Sequence, residues 1–351
     1  MYRVLQILFA FFQGLISHSH GSTQDWHWQK SKIWLCSRTM TETPSKHHPT
    51  DSVFIDPFYL KSSSSAGERF TRLRFAEVPH YLQGNPFILR GYLSDLSYKK
   101  CIKSTFVWSN ETVNVWSHLA GFLIFLGLTI YDNLVTIPNF NGTLNDHLVY
   151  TVGLTCFQFC MLCSAGYHVF SCHSEDAYKR WLGLDLAGIS IGILGCYISA
   201  VYYAFGCYPY WKKIHLAVVC TLLALTIVVQ FHRRFLTARW ATRRLLLFCT
   251  SVAYGVGPII HWISLQGGFH KEIVQIFIPK ILVMYTMAFL ALLFYATKFP
   301  ERCFPGKVDY IGSSHQWWHI IILGAFLWWH HCGIDLVQYQ TKYPCQEVMP
   351  S

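Results

Sequence analysis

The chain has 351 residues, enough for two soluble domains, yet 52% of them are hydrophobic and only 13% charged. That balance excludes an ordinary water-soluble surface and makes lipid the solvent for much of the chain. The 28 Lys and Arg against 18 Asp and Glu do not point to nucleic acid, because no soluble segment interleaves basic residues with stacking aromatics; in membrane proteins such an excess collects in cytoplasmic loops.

Residues 1–96 read as a cytosolic tail, rich in Ser, Thr, His and Lys, with a low-complexity break at Lys61 to Ser65. Val4 to Ile16 is apolar but too short to span a bilayer and carries Gln6 and Gln13. Within the tail, residues 71–96 mix aromatics with Pro79 and Pro86, which suits an extended docking segment better than a helix. Residues 97–114 turn helical and basic (Lys99, Lys100, Lys103) and predict an interfacial amphipathic helix.

An all-α membrane domain of seven transmembrane helices is expected over 115–338, followed by a lumenal carboxyl-terminal tail at 339–351. The spacing of apolar runs puts the spans near 115–133, 148–170, 182–205, 214–231, 245–265, 275–297 and 315–337, each close to the ~20 residues that cross a hydrocarbon core. Orientation follows from loop charge. Arg233, Arg234, Arg239, Arg243 and Arg244 crowd the loop after the fourth span, while 134–147 has neither Lys nor Arg. The amino terminus is therefore expected in the cytosol and the carboxyl terminus outside or lumenal, with Asn141 in an acceptor sequon on the outer side.

Of the 13 cysteines, Cys156, Cys160, Cys163, Cys196, Cys220 and Cys249 lie inside apolar runs. They read as small buried residues, and no disulfide framework is expected. The Cys160/Cys163 spacing lacks the second pair a zinc site would need. Cys172 and Cys303 are juxtamembrane and thus candidates for acylation. His261, after Pro258, is expected to line a cavity or to bond a carbonyl that the proline frees. Trp317, Trp318, Trp328 and Trp329 read as interfacial belts and packing.

Ionisable residues at lipid depth are costly, so each one in a span is a functional hypothesis. With the orientation fixed by loop charge alone, His168, Asp185, His315 and His319 all fall at the inner ends of spans two, three and seven. His315 and His319 are four apart on one helix face, where two neutral imidazoles can chelate one ion. Three nitrogen ligands leave a fourth tetrahedral position open, the arrangement of a catalytic zinc rather than a closed structural one. Asp185 is placed to bind the metal directly or to hold a water there, and Ser164, one turn before His168, to hydrogen-bond to that water or to a ligand.

These residues resemble the progestin and adipoQ receptor family of haemolysin-III-like membrane proteins. The resemblance runs from about Phe70 to Cys345 and rests on Ser-Asn-Glu-Thr-Val-Asn-Val-Trp-Ser-His (109–118), on Ser164 and His168, on Asp185 in Leu-Asp-Leu-Ala-Gly-Ile-Ser, and on His315 and His319. It implies a zinc held by three histidines near the cytosolic face, with the aspartate across from the open position. Cys-Ile-Lys-Ser (101–104), the text of 160–173 and Ile-Gly-Ser-Ser-His (311–315) look most like a Golgi-resident member of the family. That similarity implies a scaffold whose cytosolic amino-terminal region tethers Raf kinase and damps mitogen-activated kinase signalling. Two other roles fit the same site: a zinc-dependent hydrolase of a lipid amide such as ceramide, with Asp185 and Ser164 catalytic, or a hormone or lipid receptor with structural zinc.

Overall fold

The computed structural model describes residues 70–232 and 235–345. The chain divides into two units, Met1–Thr71 and Arg72–Ser351, and the fold belongs to the second. The Val4 to Ile16 stretch, the serine-rich break, Arg233 and Arg234, and the last six residues lie outside the described residues.

A short helix, α1 (Tyr98–Ser104), precedes seven helices or helix pairs long and apolar enough to cross a membrane. These are α2 (Thr112–Asn139), α3 (Leu144–Phe170), α4 (Glu175–Ala204), α5 (Pro209–Gln230), α6 with α7 (Ala241–Ala253 and Val256–Leu265), α8 (Glu272–Thr297) and α9 (Ser314–Lys342). No strand occurs among the described residues; Leu73 and Tyr92 form one isolated antiparallel bridge. α2, α3, α4 and α9 make the inner bundle, α5 packs on α4 and α8 on α9.

The bundle's close approaches are made by small residues, as expected where lipid removes the hydrophobic drive between helices. A Cβ on Gly166 would sit 2.2 Å from the Trp181 ring, and one on Gly195 would sit 2.7 Å from Cys156 Cβ. Cys156, Cys160 and Cys163 fill this same α3–α4 seam as buried side chains, so their packing reading is the one the structure supports.

Three expectations need correction. The first span does not end at 133: a π-helical turn at Asp132–Thr136 carries the helix on to Asn139, leaving only residues 140–143 as loop. Asp132 is buried there, accepts from Thr136 Oγ1 at 2.8 Å and pairs with His330 at 3.0 Å. This carboxylate inside the span thus has one partner a turn away and one across the bundle. The interfacial helix is also shorter than 97–114, because residues 105–111 turn between α1 and α2. Finally, among the described residues one disulfide is present, Cys207–Cys345, joining the turn after α4 to the chain after α9. Both cysteines lie beyond the apolar runs that guided the sequence reading.

Of residues 71–96, expected as an extended docking segment, 73–96 are extended with two single 3₁₀ turns and dock on this chain itself. Val78, Ile88 and Tyr92 form a small core with Leu73, Phe75 and Leu82. Leu89 N donates to Asp309 Oδ1 (3.0 Å) and Gly306 N to Phe87 O (3.2 Å), fastening the segment to the α8–α9 loop. Gly91, at φ +89°, sits against the Tyr310 ring where any Cβ would clash at 2.8 Å.

Span five is broken at Tyr254–Gly255, and its freed carbonyls are not left bare. Tyr197 Oη donates to Ser251 O (2.8 Å) and Tyr285 Oη to Val252 O (3.2 Å). His261 does not serve that purpose; its Nδ1 meets His215 Nε2 at 3.0 Å. The tryptophans pack as expected, with Trp328 donating to Lys280 O and Trp329 to Cys196 O.

Candidate metal centre

The inner ends of α3 and α9 bring three imidazoles together. α9 starts at Ser314, and its first backbone N–H is received by Glu301 Oε2 at 2.7 Å. Glu301 is 0% exposed and also accepts from Ser314 Oγ and from Asn85 Nδ2, so a carboxylate from the preceding loop caps the positive end of the helix. Gln316 secures the same turn, donating to Tyr310 O and accepting from Gly312 N. That cap fixes the direction in which His315 and His319, one turn apart, leave the helix.

His315 Nε2 lies 3.3 Å from His168 Nε2 and 3.2 Å from His319 Nε2. The three form the one group of metal-capable side chains, among the described residues, whose ligand atoms all lie within 4.8 Å of one another. His168 and His319 are buried and His315 is partly exposed.

The outward-facing nitrogens decide the tautomers. His168 Nδ1 donates to Glu111 Oε2 at 2.8 Å, and His319 Nδ1 to Asn114 O at 3.2 Å, with Ser117 Oγ 3.3 Å away. Each of these two rings therefore turns a bare Nε2 lone pair inward, and His315 has one ring proton at most to place between them. At least one of the two close nitrogen pairs is left without a hydrogen. A cation resolves that conflict: nitrogens about 2.0–2.1 Å from a tetrahedral ion are about 3.3 Å apart, the spacing found here. The donor set, all imidazole with the outer nitrogens of His168 and His319 tied down, fits a borderline transition ion.

Ser164 is buried on α3, and Asp185 lies within electrostatic reach of Ser164 and His168 but is not among the three side chains whose ligand atoms converge. This arrangement sets Asp185 beside the triad rather than in it.

Sequence reasoning quoted residues 109–118 as a signature but assigned them no chemistry. Glu111 holds the His168 tautomer and is itself held by Asn114 Nδ2 (2.7 Å) and Asn110 Nδ2 (3.1 Å). His118 stacks on His319 with ring centroids 3.7 Å apart and planes 11° from parallel, walling that imidazole from the far side. The signal was available in principle: Asn110, Glu111, Asn114 and His118 form a polar run at the mouth of an apolar span. Glu301 gave no such signal, standing in a loop with nothing around it to mark it as a cap.

A seven-helix bundle with a three-histidine centre at one end defines a class of integral membrane protein. The chain belongs to the haemolysin-III-related proteins, whose family model matches residues 106–330, and among them to the progestin and adipoQ receptor family. It is 47% identical over 276 residues to Progestin and adipoQ receptor family member 3 of Homo sapiens, covering 78% of this chain and 89% of that protein, with the same figures for the Mus musculus protein. The Adiponectin receptor protein of Drosophila melanogaster is 32% identical over 270 residues, covering 77% of this chain and 60% of that protein.

Proposed function

We propose that the chain is a zinc-holding, multi-pass Golgi membrane protein that acts as a scaffold, tethering Raf kinase on its cytosolic side and restraining mitogen-activated kinase signalling. The observation that supports the zinc assignment is the convergence of three Nε2 atoms, two of which belong to rings whose Nδ1–H is committed elsewhere. The scaffold role and Golgi residence rest on the family-specific text at 101–104, 160–173 and 311–315.

The cytosolic assignment of the metal end is supported by the Cys207–Cys345 bond at the opposite end of α4 and α9, since disulfides persist in oxidising compartments. With that end lumenal, α1, the docked segment 73–96 and the α8–α9 loop form the surface offered to cytosolic partners. The kinase contact then falls on the outer side of this folded cap or on the residues before it. The experiment is co-recruitment: Raf kinase should move to Golgi membranes with the full chain, and lack of recruitment would remove the scaffold reading.

A second reading is favoured by the Ser164–Asp185 pair beside the histidines. A zinc ion bound there supplies Lewis-acid polarisation of a carbonyl and of a water. The chain's own part in lipid amide hydrolysis would be Asp185 as the group receiving the water's proton, with the Ser164 hydroxyl as its polar neighbour. Turnover of a ceramide panel by purified protein, with and without chelator, separates the readings. Chelator-sensitive product supports the hydrolase; its absence leaves the scaffold, or a receptor whose structural zinc ties spans two, three and seven together.

A further inference from the structure

Away from the histidines, two nucleophilic side chains meet across different elements. Cys101 on α1 and Cys172, two residues beyond α3, hold their sulfurs 3.7 Å apart, at 0% and 8% exposure. The surrounding contacts make a clasp. Leu96 N donates to Cys172 O (3.4 Å), His173 Nδ1 donates to Leu96 O (2.6 Å), and the Cys101 thiol points at Leu96 O (3.6 Å). The Tyr98 and His173 rings lie 3.9 Å apart over the same junction. Its inner anchor is the turn that follows His168 by four residues.

The burial of Cys172 removes it from the acylation candidates, because a fatty acyl transfer needs an accessible thiol. The pairing offers a different chemistry. At the far end of α4, about 45 Å away for a 30-residue helix, Cys207 and Cys345 are joined, whereas Cys101 and Cys172 touch as free thiols. Bonded cysteines at one end and a reduced contact pair at the other are what a reducing and an oxidising compartment would leave on the two faces.

We propose that Cys101 and Cys172 form a reversible dithiol–disulfide site, oxidised by hydrogen peroxide, that locks α1 onto the inner end of α3. Cys101 is the attacking sulfur: hydrogen bonding from the Cys172 thiol lowers its pKa, which raises its thiolate fraction. The thiolate attacks one peroxide oxygen, the O–O bond breaks and the departing hydroxide takes up a proton, leaving Cys101 as a sulfenic acid. The Cys172 sulfur then attacks the Cys101 sulfur, the S–O bond breaks, and the Cys172 proton leaves with that hydroxide as water. Two thiols and one peroxide give one disulfide and two waters, with two electrons passing from sulfur to peroxide oxygen. Burial of both sulfurs selects a small oxidant such as peroxide over one as large as glutathione disulfide. Bond formation needs the sulfurs to close from 3.7 Å to about 2.05 Å, a movement within reach of a seven-residue helix on short connections.

The test is peptide mapping of the purified full chain after a hydrogen peroxide titration, with alkylation before digestion. The expected result is a Cys101–Cys172 cross-linked peptide that forms at least about tenfold faster than any oxidation of Cys156, a thiol packed in the apolar α3–α4 seam, reverses with dithiothreitol, and is absent from Cys101→Ser and Cys172→Ser. In Cys172→Ser, a dimedone adduct should appear at Cys101; in Cys101→Ser, none should appear at Cys172. Oxidation of Cys101 no faster than Cys156, or a cross-link from either cysteine to a third one, would overturn the proposal.

Discussion

His168 donates from Nδ1 to Glu111 Oε2 at 2.8 Å, joining the last turn of α3 to the residue just ahead of α2. The contact makes Glu111 the carboxylate of a carboxylate–histidine pair, which fixes the ring and raises the basicity of the inward nitrogen. Glu111→Ala should therefore weaken metal binding about 10- to 100-fold, with a smaller loss in Glu111→Gln, whose amide oxygen can still accept. Competition against a chelator of known affinity measures this. Equal affinity in Glu111→Ala and wild type would show that the ring is held by packing alone.

Glu301 should matter to stability more than a loop residue ordinarily does. It is fully buried and receives the backbone and side chain of Ser314 together with Asn85 from the docked segment. Glu301→Ala leaves those donors unpaired, a cost of about 1–3 kcal/mol for a buried group. Thermal unfolding of purified protein should show a lowered midpoint, and metal affinity should fall as well because His315 follows directly. An unchanged midpoint would mean that water replaces the carboxylate without loss.

The docked segment carries a related prediction. Because 73–96 supplies the core of Val78, Ile88 and Tyr92 and anchors the α8–α9 loop, its deletion should leave the membrane domain poorly folded instead of merely detaching a partner. Size-exclusion profiles of the deletion and wild type in detergent decide this. A monodisperse deletion variant with full metal content would show the segment to be a detachable arm.

Seven spans were legible because the bilayer imposes a length and a polarity on every crossing, so local composition alone reports them. The histidines were legible for the same reason, since His168, His315 and His319 are expensive at that depth. The extension of the first span past 133 was not legible, because the partner that accommodates Asp132, His330, lies almost 200 residues away and no local signal announces it. The Glu111–His168 pair, 57 residues apart, and the Cys207–Cys345 bond share that character, and such distant contacts leave no periodicity to read.

Topology can be tested through the disulfide. With the carboxyl terminus lumenal, a tag after Ser351 should survive cytosolic protease in sealed vesicles, and a tag at the amino terminus should be digested. Cys207 and Cys345 should resist alkylation until reductant is added to opened vesicles, while Cys101 and Cys172 should be alkylated on denaturation without it. The reverse protection pattern would place the three histidines on the lumenal side.

The metal itself is tested by removing its ligands from each helix separately. His315 and His319 belong to one helix, so His168→Ala leaves a two-nitrogen chelate on α9 and severs its link to α3; the double variant His315→Ala with His319→Ala leaves His168 alone. Both should bring zinc, measured by elemental analysis after gentle purification, well below one per chain, the double variant furthest. Asp185→Asn should behave differently, because the carboxylate stands beside the triad and keeps the company of Ser164. Zinc content should stay at the wild-type level, and any amide hydrolysis should fall by about 10²-fold or more, the usual loss when a general base is removed. Wild-type protein without stoichiometric zinc, or a triple-histidine variant that retains it, would defeat the assignment of the site, whereas loss of zinc in Asp185→Asn would move that carboxylate into the ligand set.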